Sequence, residues 1–578
     1  MTTQQKRTMT MKHNIHHILY AGCAAMALTA CTDSFLDKNP DERIEITSQE
    51  DVILLLTQSY PSANIGWVCE LTSDNIMDMN SKHLPISSTA EQKETHYNLT
   101  SYGRQDDEMF RFEPVRSSTG SDTPAGIWED FYTSICSVNE ALRAIARICP
   151  DTAQMSKELK AAYAEAKLIR AYDHFVLVNV FSQAYKDDNQ SRQDIGVPYV
   201  TEPETKVDLS FDRSNVTDTY AKIEADLLDG LRYVNDVNYK MLKWHFTVDA
   251  ANAFAARFYL FKRNWQKVKE HTSKVLAATP ELILADAFPY VLFDGASYSD
   301  DFANGWQTPY YRQNIMLMDT YSVIFRHARA GYRYEQGSTV ARDIYYHNAP
   351  MWSRWTANPS IIASGLFGSR DYGFLPGWVC EQFQYSDKVA GIGYAHTVRR
   401  EFTMNELLLM RAEANTMLGD SAEAVQDLCT YHACICNFSE ADKLTYNMKI
   451  MTGDNIRGWF GNASNPNCFA DWDFVTAHVS PTYVIDQNKV ALMNCINYWR
   501  RYELNFTGMR FFDLKRWGME WEHVYGPNNE VYRMTWDDPR RAIEVPEEAI
   551  AVGLQPSRPT AAADSTRLTR AVNYLVQQ

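Results

Sequence analysis

One pattern recurs along this chain and limits its fold more than any other: a helix, a short turn and a second helix, with alanine where the two must touch. Ser156–Phe181 reads as one long helix, because Leu159, Tyr163, Ala166, Ile169, Arg170, Tyr172 and Phe175 alternate three and four apart. Its Ala161, Ala162, Ala164 and Ala166 make faces small enough for a neighbouring helix to approach closely. Trp128–Ile148, with Phe131, Ile135, Val138, Asn139 and Leu142 at helical offsets, precedes it. Val216–Val234 and Asp249–Lys262 read as two more helices, and Arg263-Asn264-Trp265 is a tight turn into another, Trp265–Ala278. Thr403–Ala433 repeats the plan: Arg411-Ala412-Glu413-Ala414 leads to a turn at Leu418-Gly419-Asp420, then to Ala422, Ala424 and Leu428 on a second helix.

Such units of about 34 residues are tetratricopeptide-like. They fall at 128–181, 216–262, 249–278 overlapping it, and 403–436, too irregularly spaced for a clean solenoid. Arrays of this kind bury a continuous core between neighbours and leave long surfaces for partners. A helix is also expected from Ser48 to Tyr60. Two stretches break the pattern early and late: Pro61–Gly126, loop-rich with no lasting period, and Gly453–Pro481. A long loop-rich stretch in a compact domain usually has a functional use. Ala285–Arg400 differs most. Gly, Ser, Asp, Asn and Pro are frequent there, aromatics are densest, and Arg312, Arg326, Arg354 and Arg370 are interleaved. The expected fold class is all-α: a tetratricopeptide-like helical-pair scaffold with a large irregular loop-rich ligand-facing insertion. Its parts are 48–284, the insertion 285–400, and 401–578.

Asn497–Gly518 reads as a helix, a break at Thr507-Gly508 and a second helix. Arg500, Arg501, Arg510 and Arg516 alternate with rings, which points to buried, bidentate and stacked ion pairs. Asp513 lies three residues from both Arg510 and Arg516, within one turn of either. A nucleic-acid surface is disfavoured, because Glu503 and Asp513 neutralise the patch and the chain carries a net charge of −16.

The N-terminus reads as an address. Lys6, Arg7 and Lys12 precede an uncharged run, Ile18–Ala30, too short to span a bilayer and suited to a signal-peptide core. It ends Leu28-Thr29-Ala30-Cys31, the pattern cut before a cysteine that is then acylated, so 1–30 is expected to be a lipoprotein signal peptide, Cys31 the lipidated residue and 31–47 a tether. Each buried CH₂ of an acyl chain contributes about 0.8 kcal/mol. Nine later cysteines, an odd number, make no disulfide framework. Cys429, Cys434 and Cys436 match no zinc spacing and read as buried structural thiols.

No G-x-S-x-G, H-E-x-x-H, P-loop or G-x-G-x-x-G is present, and no cofactor or metal is expected. Asp300, Asp301 and Asn304 lack the EF-hand order and read as solvated loop residues. What remains is rings among polar and basic neighbours, the chemistry that meets sugars: C–H faces lie against Trp and Tyr while side-chain amides and acids bond the hydroxyls. The expected ligand-binding residues are Trp306, Tyr310, Tyr311, Trp352, Trp355 and Trp378, with Asp74 and Asn75 from the early loop.

The run Arg500, Arg501, Glu503, Leu504, Phe506, Gly508, Arg510, Asp513, Leu514, Arg516, Trp517, Gly518 resembles the C-terminal signature of the SusD/RagB family, surface nutrient-binding lipoproteins of Bacteroidetes. Phe35-Leu36-Asp37 with Pro40, Ala164-Glu165-Ala166 with Ile169-Arg170-Ala171-Tyr172, Ile195-Gly196-Val197-Pro198 and Arg411-Ala412-Glu413-Ala414 add to the resemblance. Thr507 stands where the family often has Glu, and Leu428–Cys436 departs from its usual segment. The resemblance implies a non-enzymatic, lipid-anchored protein of the cell outer membrane that captures a nutrient, most commonly an oligosaccharide, for a SusC-like TonB-dependent transporter. A peptide-binding member, or a tetratricopeptide-like adaptor that binds only protein, is the alternative.

Overall fold

Alanine and aromatic residues together fill the middle of the scaffold. Helix α7 (Val248–Phe261) buries Ala250, Ala251, Ala253, Ala255 and Ala256 together with Phe254 and Phe258. Its rings meet those of α5 (Lys157–Phe181), with Phe254 5.6 Å from Tyr172 and Phe261 5.1 Å from Phe175, both edge to face. In this computed structural model the described residues are 46–84, 94–203, 212–286, 306–328, 331–341, 343–344, 376–435, 448–461 and 472–558. Ser48–Gln578 clusters as one unit.

Other helices include, in chain order, α1 (Gln49–Thr57), α2 (Gly66–Leu71), α3 (Arg104–Phe110), α4 (Pro124–Ile148), α6 (Val216–Tyr233), α8 (Trp265–Val275), α9 (Met404–Leu418), α10 (Ser421–Ile435), α11 (Gly453–Phe460), α12 (Gln487–Glu503) and α13 (Met509–Arg516). Local chemistry sets their ends. Thr123, Ser156, Asn215, Thr247, Asn264 and Thr403 each cap the helix that follows by accepting a backbone N–H with the side chain. Gly419, at φ +90°, ends α9 in the left-handed region. Packing proceeds from neighbour to neighbour, α4 on α5, α5 on α6, α7 on α8, α8 on α9 and α9 on α10, so the all-α helical-pair scaffold is present. Arg170 of α5 ties three helices, reaching Asp226 of α6 at 2.7 and 2.8 Å and Asn139 of α4 at 2.9 Å. Burial alone would raise the Asp226 carboxyl, but bonds from Arg170 and Lys167 more than offset it and hold the group down at about 2.

The insertion is more regular than its composition suggests. Strands β2 (Asn314–Thr320), β4 (Gln382–Asp387) and β5 (Ile392–Thr403) form an antiparallel sheet in the order β2-β5-β4. The buried run Ile315–Met318 drives β2 against the frame. Asp387 Oδ1 accepts from Val389 and Ala390 N–H, and Gly391 at φ +68° lets the chain return, which closes the β4–β5 hairpin. Two smaller pairs join β1 (Met77–Asp78) to β3 (Tyr334–Glu335) and β6 (Trp521–Tyr525) to β7 (Glu530–Met534).

Of Pro61–Gly126, expected as a loop-rich stretch with a functional use, 61–83 is largely buried, whereas 94–105 and 113–121 lie at or near the surface. Helix α2 is buried along its length and packs on α13, at the other end of the chain. The closing segment explains why. Arg500 reaches Asp513 at 2.8 and 3.1 Å, and Arg516 meets the same carboxylate at 2.7 Å. Arg516 also bonds Glu413 of α9 and lies 4.2 Å over the Trp517 ring. Arg510, though three residues from Asp513, turns away from it and takes Asp74 of the early segment at 2.6 and 2.7 Å. Between the two helices the backbone is left-handed at Phe506 (φ 60°) and Gly508 (φ 84°). There the Gly508 N–H bonds Glu70 of α2 at 3.0 Å.

Candidate functional site

Most of the side chains expected to meet a ligand are turned inward. Trp306, Tyr311 and Trp378 surround the Arg400 guanidinium, their ring centres 5.2, 5.7 and 5.2 Å from its carbon. All three are buried, because a desolvated guanidinium and the negative faces of rings attract each other strongly away from water. Arg400 also bonds Asn314 at 2.9 Å and stands 3.6 Å from Glu503, while the Trp378 indole N–H bonds the Asn505 carbonyl at 2.8 Å. This cage joins the insertion to the closing segment. Asp74 is held by Arg510, and Arg501 bonds its carbonyl and the Asn75 side chain, each at 2.8 Å. Burial would raise the Asp74 carboxyl, yet Arg501 and Arg510 keep it well below the usual carboxylate range. Asn75 in turn donates to Glu70. Of the expected set, Tyr310 stays open, 85% exposed. Trp352, Trp355, Cys31, Cys436, Asp300, Asp301 and Asn304 lie outside the described residues. Cys429 and Cys434 are buried, and burial pushes the Cys429 thiol up to about 12.

A different group of rings faces solvent on the same insertion. Phe383 and Tyr385 alternate along β4, so they share a face, with ring centres 4.9 Å apart and each about half exposed. Opposite them on β5 stand Ala395 and Gly393. A Cβ at Gly393 would lie 2.7 Å from the Phe383 ring, so glycine leaves that ring room to lie down. On the other face Tyr321, just past β2, meets Tyr394 of β5 edge to face at 5.2 Å. Beside the hairpin Arg326 forms a two-pronged pair with Glu381, both bonds 2.6 Å. Tyr102 stands next to it, 5.3 Å from Tyr332 and 4.2 Å from the buried His327 ring, which packs on Trp67. Aromatic faces flanked by fixed donors and acceptors can stack on the C–H side of a sugar and bond its hydroxyls. Sequence reasoning passed over Phe383, Tyr385, Tyr394 and Tyr102. The period-two spacing of Phe383 and Tyr385 ahead of a glycine turn was the available signal for two of them.

A separate cleft of about 420 Å³ lies on the helical frame at the α7–α8 corner, between Lys262, Arg263, Trp265 and Leu418. Among the described residues no helix is long and apolar enough to cross a membrane, and no cluster of His, Cys, Asp and Glu is arranged to hold a metal.

The family models match in two blocks. A SusD-like model, described as starch-binding and associating with the outer membrane, covers residues 34–260, and the SusD family model covers 326–545. The chain belongs to the SusD/RagB family. Solved structures carry the same fold. A SusD superfamily protein from Bacteroides thetaiotaomicron VPI-5482 is 15% identical with a TM-score of 0.55, over 89% of this chain and 100% of that one. One from Bacteroides fragilis is 16% identical with a TM-score of 0.54, over 87% and 97%. One from Bacteroides vulgatus ATCC 8482 is 14% identical with a TM-score of 0.53, over 89% and 100%. No curated protein matches the chain. This SusD/RagB protein is thus of a binding family associated with the outer membrane.

Proposed function

We propose that this SusD/RagB protein captures oligosaccharide at the cell surface, breaks no bond in it, and hands it to a SusC-like TonB-dependent transporter. The observation that carries the reading is the set of solvent-facing rings on the β4–β5 hairpin and beside it. Phe383, Tyr385, Tyr321 and Tyr102 are each more than a third exposed, whereas most other large rings among the described residues are packed away. Exposed paired rings of this kind serve a ligand better than they serve a fold. The match to a starch-binding, outer-membrane-associated family model supports both the ligand class and the location. The Leu28-Thr29-Ala30-Cys31 sequence supports anchoring through lipid on Cys31. A tether at one end and a transporter contact at the other would raise the concentration of captured ligand at the pore mouth.

The test is affinity electrophoresis of the chain from Thr32 onward in gels containing soluble polysaccharides, followed by a glycan array. Retardation by at least one polysaccharide is expected. If none slows the protein while peptides bind it, the peptide-binding alternative takes its place. Co-purification of a β-barrel with the acylated protein from outer membranes checks the transporter, and a purified sample that shortens a polysaccharide would overturn the non-catalytic reading.

A further inference from the structure

The two faces of the β4–β5 hairpin differ in chemistry. The register pairs Gln382 with His396 and Gln384 with Tyr394, and on the other side of β5 it pairs Val398 with Asp319. Side chains directly opposite one another share a face, and residues two apart along a strand share it too. Gln384, Tyr394, His396 and Asp319 therefore lie on one side of the sheet. His396 Nδ1 bonds Asp319 Oδ1, which fixes the carboxylate on that surface, where it is 44% exposed. The Tyr321 ring closes the row against Tyr394. The reverse face holds Phe383 and Tyr385 over Ala395 and Gly393, a surface built chiefly for stacking, with the Tyr385 hydroxyl as its polar group.

We propose that the face built from Asp319, His396, Tyr394, Gln384 and Tyr321 is a subsite for a neutral pyranose bearing adjacent hydroxyls; this rests on the oligosaccharide reading above. An ionised carboxylate is acceptor-only, so it takes hydrogen bonds from hydroxyl pairs. Gln384 offers both a donor and an acceptor, and the Tyr394 ring offers a flat face to sugar C–H groups. A uronate or sulfate placed here would meet Asp319 with like charge. At about 4 Å in a solvated setting that weakens binding at least about fivefold. His396 is the nearest titratable neighbour, and its Nδ1 is already engaged by Asp319; the other charges offer such a group little relief. Arg326 is paired with Glu381, Asp387 caps the hairpin turn, Arg399 pairs with Glu401 and Arg400 lies within its ring cage. Lys388 sits in the turn, beyond the last ring.

The experiment uses affinity electrophoresis of the chain from Thr32 with amylopectin, galactomannan and xyloglucan as neutral probes, and polygalacturonate and chondroitin sulfate as acidic ones. At least one neutral probe should retard the protein and neither acidic probe should. Tyr394→Ala and Asp319→Asn should each weaken the neutral interaction at least about tenfold, as loss of a contact to a charged or stacked group does. Phe383→Ala should change it less than threefold. Gln384→Ala, at an exposed strand position, serves as the variant that cannot act through misfolding, and thermal melts check the others. Retardation by an acidic probe that survives Asp319→Asn overturns the neutral subsite and leaves the oligosaccharide reading standing. So does loss of binding in Phe383→Ala with none in Tyr394→Ala or Gln384→Ala. Failure of every probe to retard the wild type overturns the oligosaccharide reading, and the subsite with it.

Discussion

Replacing Asp74 with alanine should destabilise the protein by about 3–5 kcal/mol, the usual cost of leaving one partner of a buried ion pair behind. The size follows from what remains. Arg510 is 1% exposed and gives Asp74 two bonds of 2.6 and 2.7 Å. Without them its charge stays buried with the Asn497 side-chain oxygen as acceptor and the like charge of Arg501 nearby. Asp74→Asn keeps an acceptor and loses the charge, so about 1.5–3 kcal/mol is expected. Asp74→Ala combined with Arg510→Met should cost less than Asp74→Ala alone, since no orphan charge is left. Urea unfolding followed by tryptophan fluorescence measures all three. The pH profile is a second readout. The folded carboxyl titrates below its unfolded value of about 3.9. Its stabilisation is therefore complete above that pH and is lost as acid takes the solution down through the folded value, and Asp74→Ala should flatten that acid limb. A loss under about 1 kcal/mol, or intact stability with lost polysaccharide binding, would refute the reasoning and place Asp74 among the ligand contacts.

Gly508→Ala should cost about 1–2 kcal/mol, because φ is +84° and a Cβ there would meet the Ile65 carbonyl at 3.1 Å; a thermal melt decides it. Glu503 is held up at about 7 by burial, against about 4.3 when unfolded, so stability should fall as pH rises between those values. Glu503→Gln should remove part of that fall in urea titrations, the remainder including Glu70, which burial raises to about 7 as well. Trp378→Ala should lower stability by about 3–5 kcal/mol through loss of the Arg400 cage and a buried indole; an unchanged urea midpoint would show the cage to be dispensable.

The helical pairs were legible because alanine and aromatic spacing is local information, and capping residues such as Ser156, Asn215 and Thr403 stand in the sequence where the helices begin. The sheet in the insertion was not, since β5 mixes arginines into its buried half and pairs with residues some 80 positions earlier. The ring-rich insertion was expected to meet a ligand, but ring density alone does not say whether a ring meets a sugar or an arginine. Trp306, Tyr311 and Trp378 meet Arg400. Asp74 and Asn75 resemble loop-borne ligand contacts until Arg501 and Arg510, more than 400 residues later, are brought beside them. No periodicity encodes a partner at that distance.

That distance has a further consequence. A polypeptide is made from its N-terminus, so Glu70 and Asp74 emerge long before Gly508 and Arg510, the residues that satisfy them. Until the closing segment emerges, α2 has partners such as Asp106, which takes the Trp67 N–H, but its acids Glu70 and Asp74 lack the groups that satisfy them. The seam between α2 and α13 can therefore close only in the last step, and truncation shortly before residue 508 should leave a chain that binds chaperones instead of a smaller working domain.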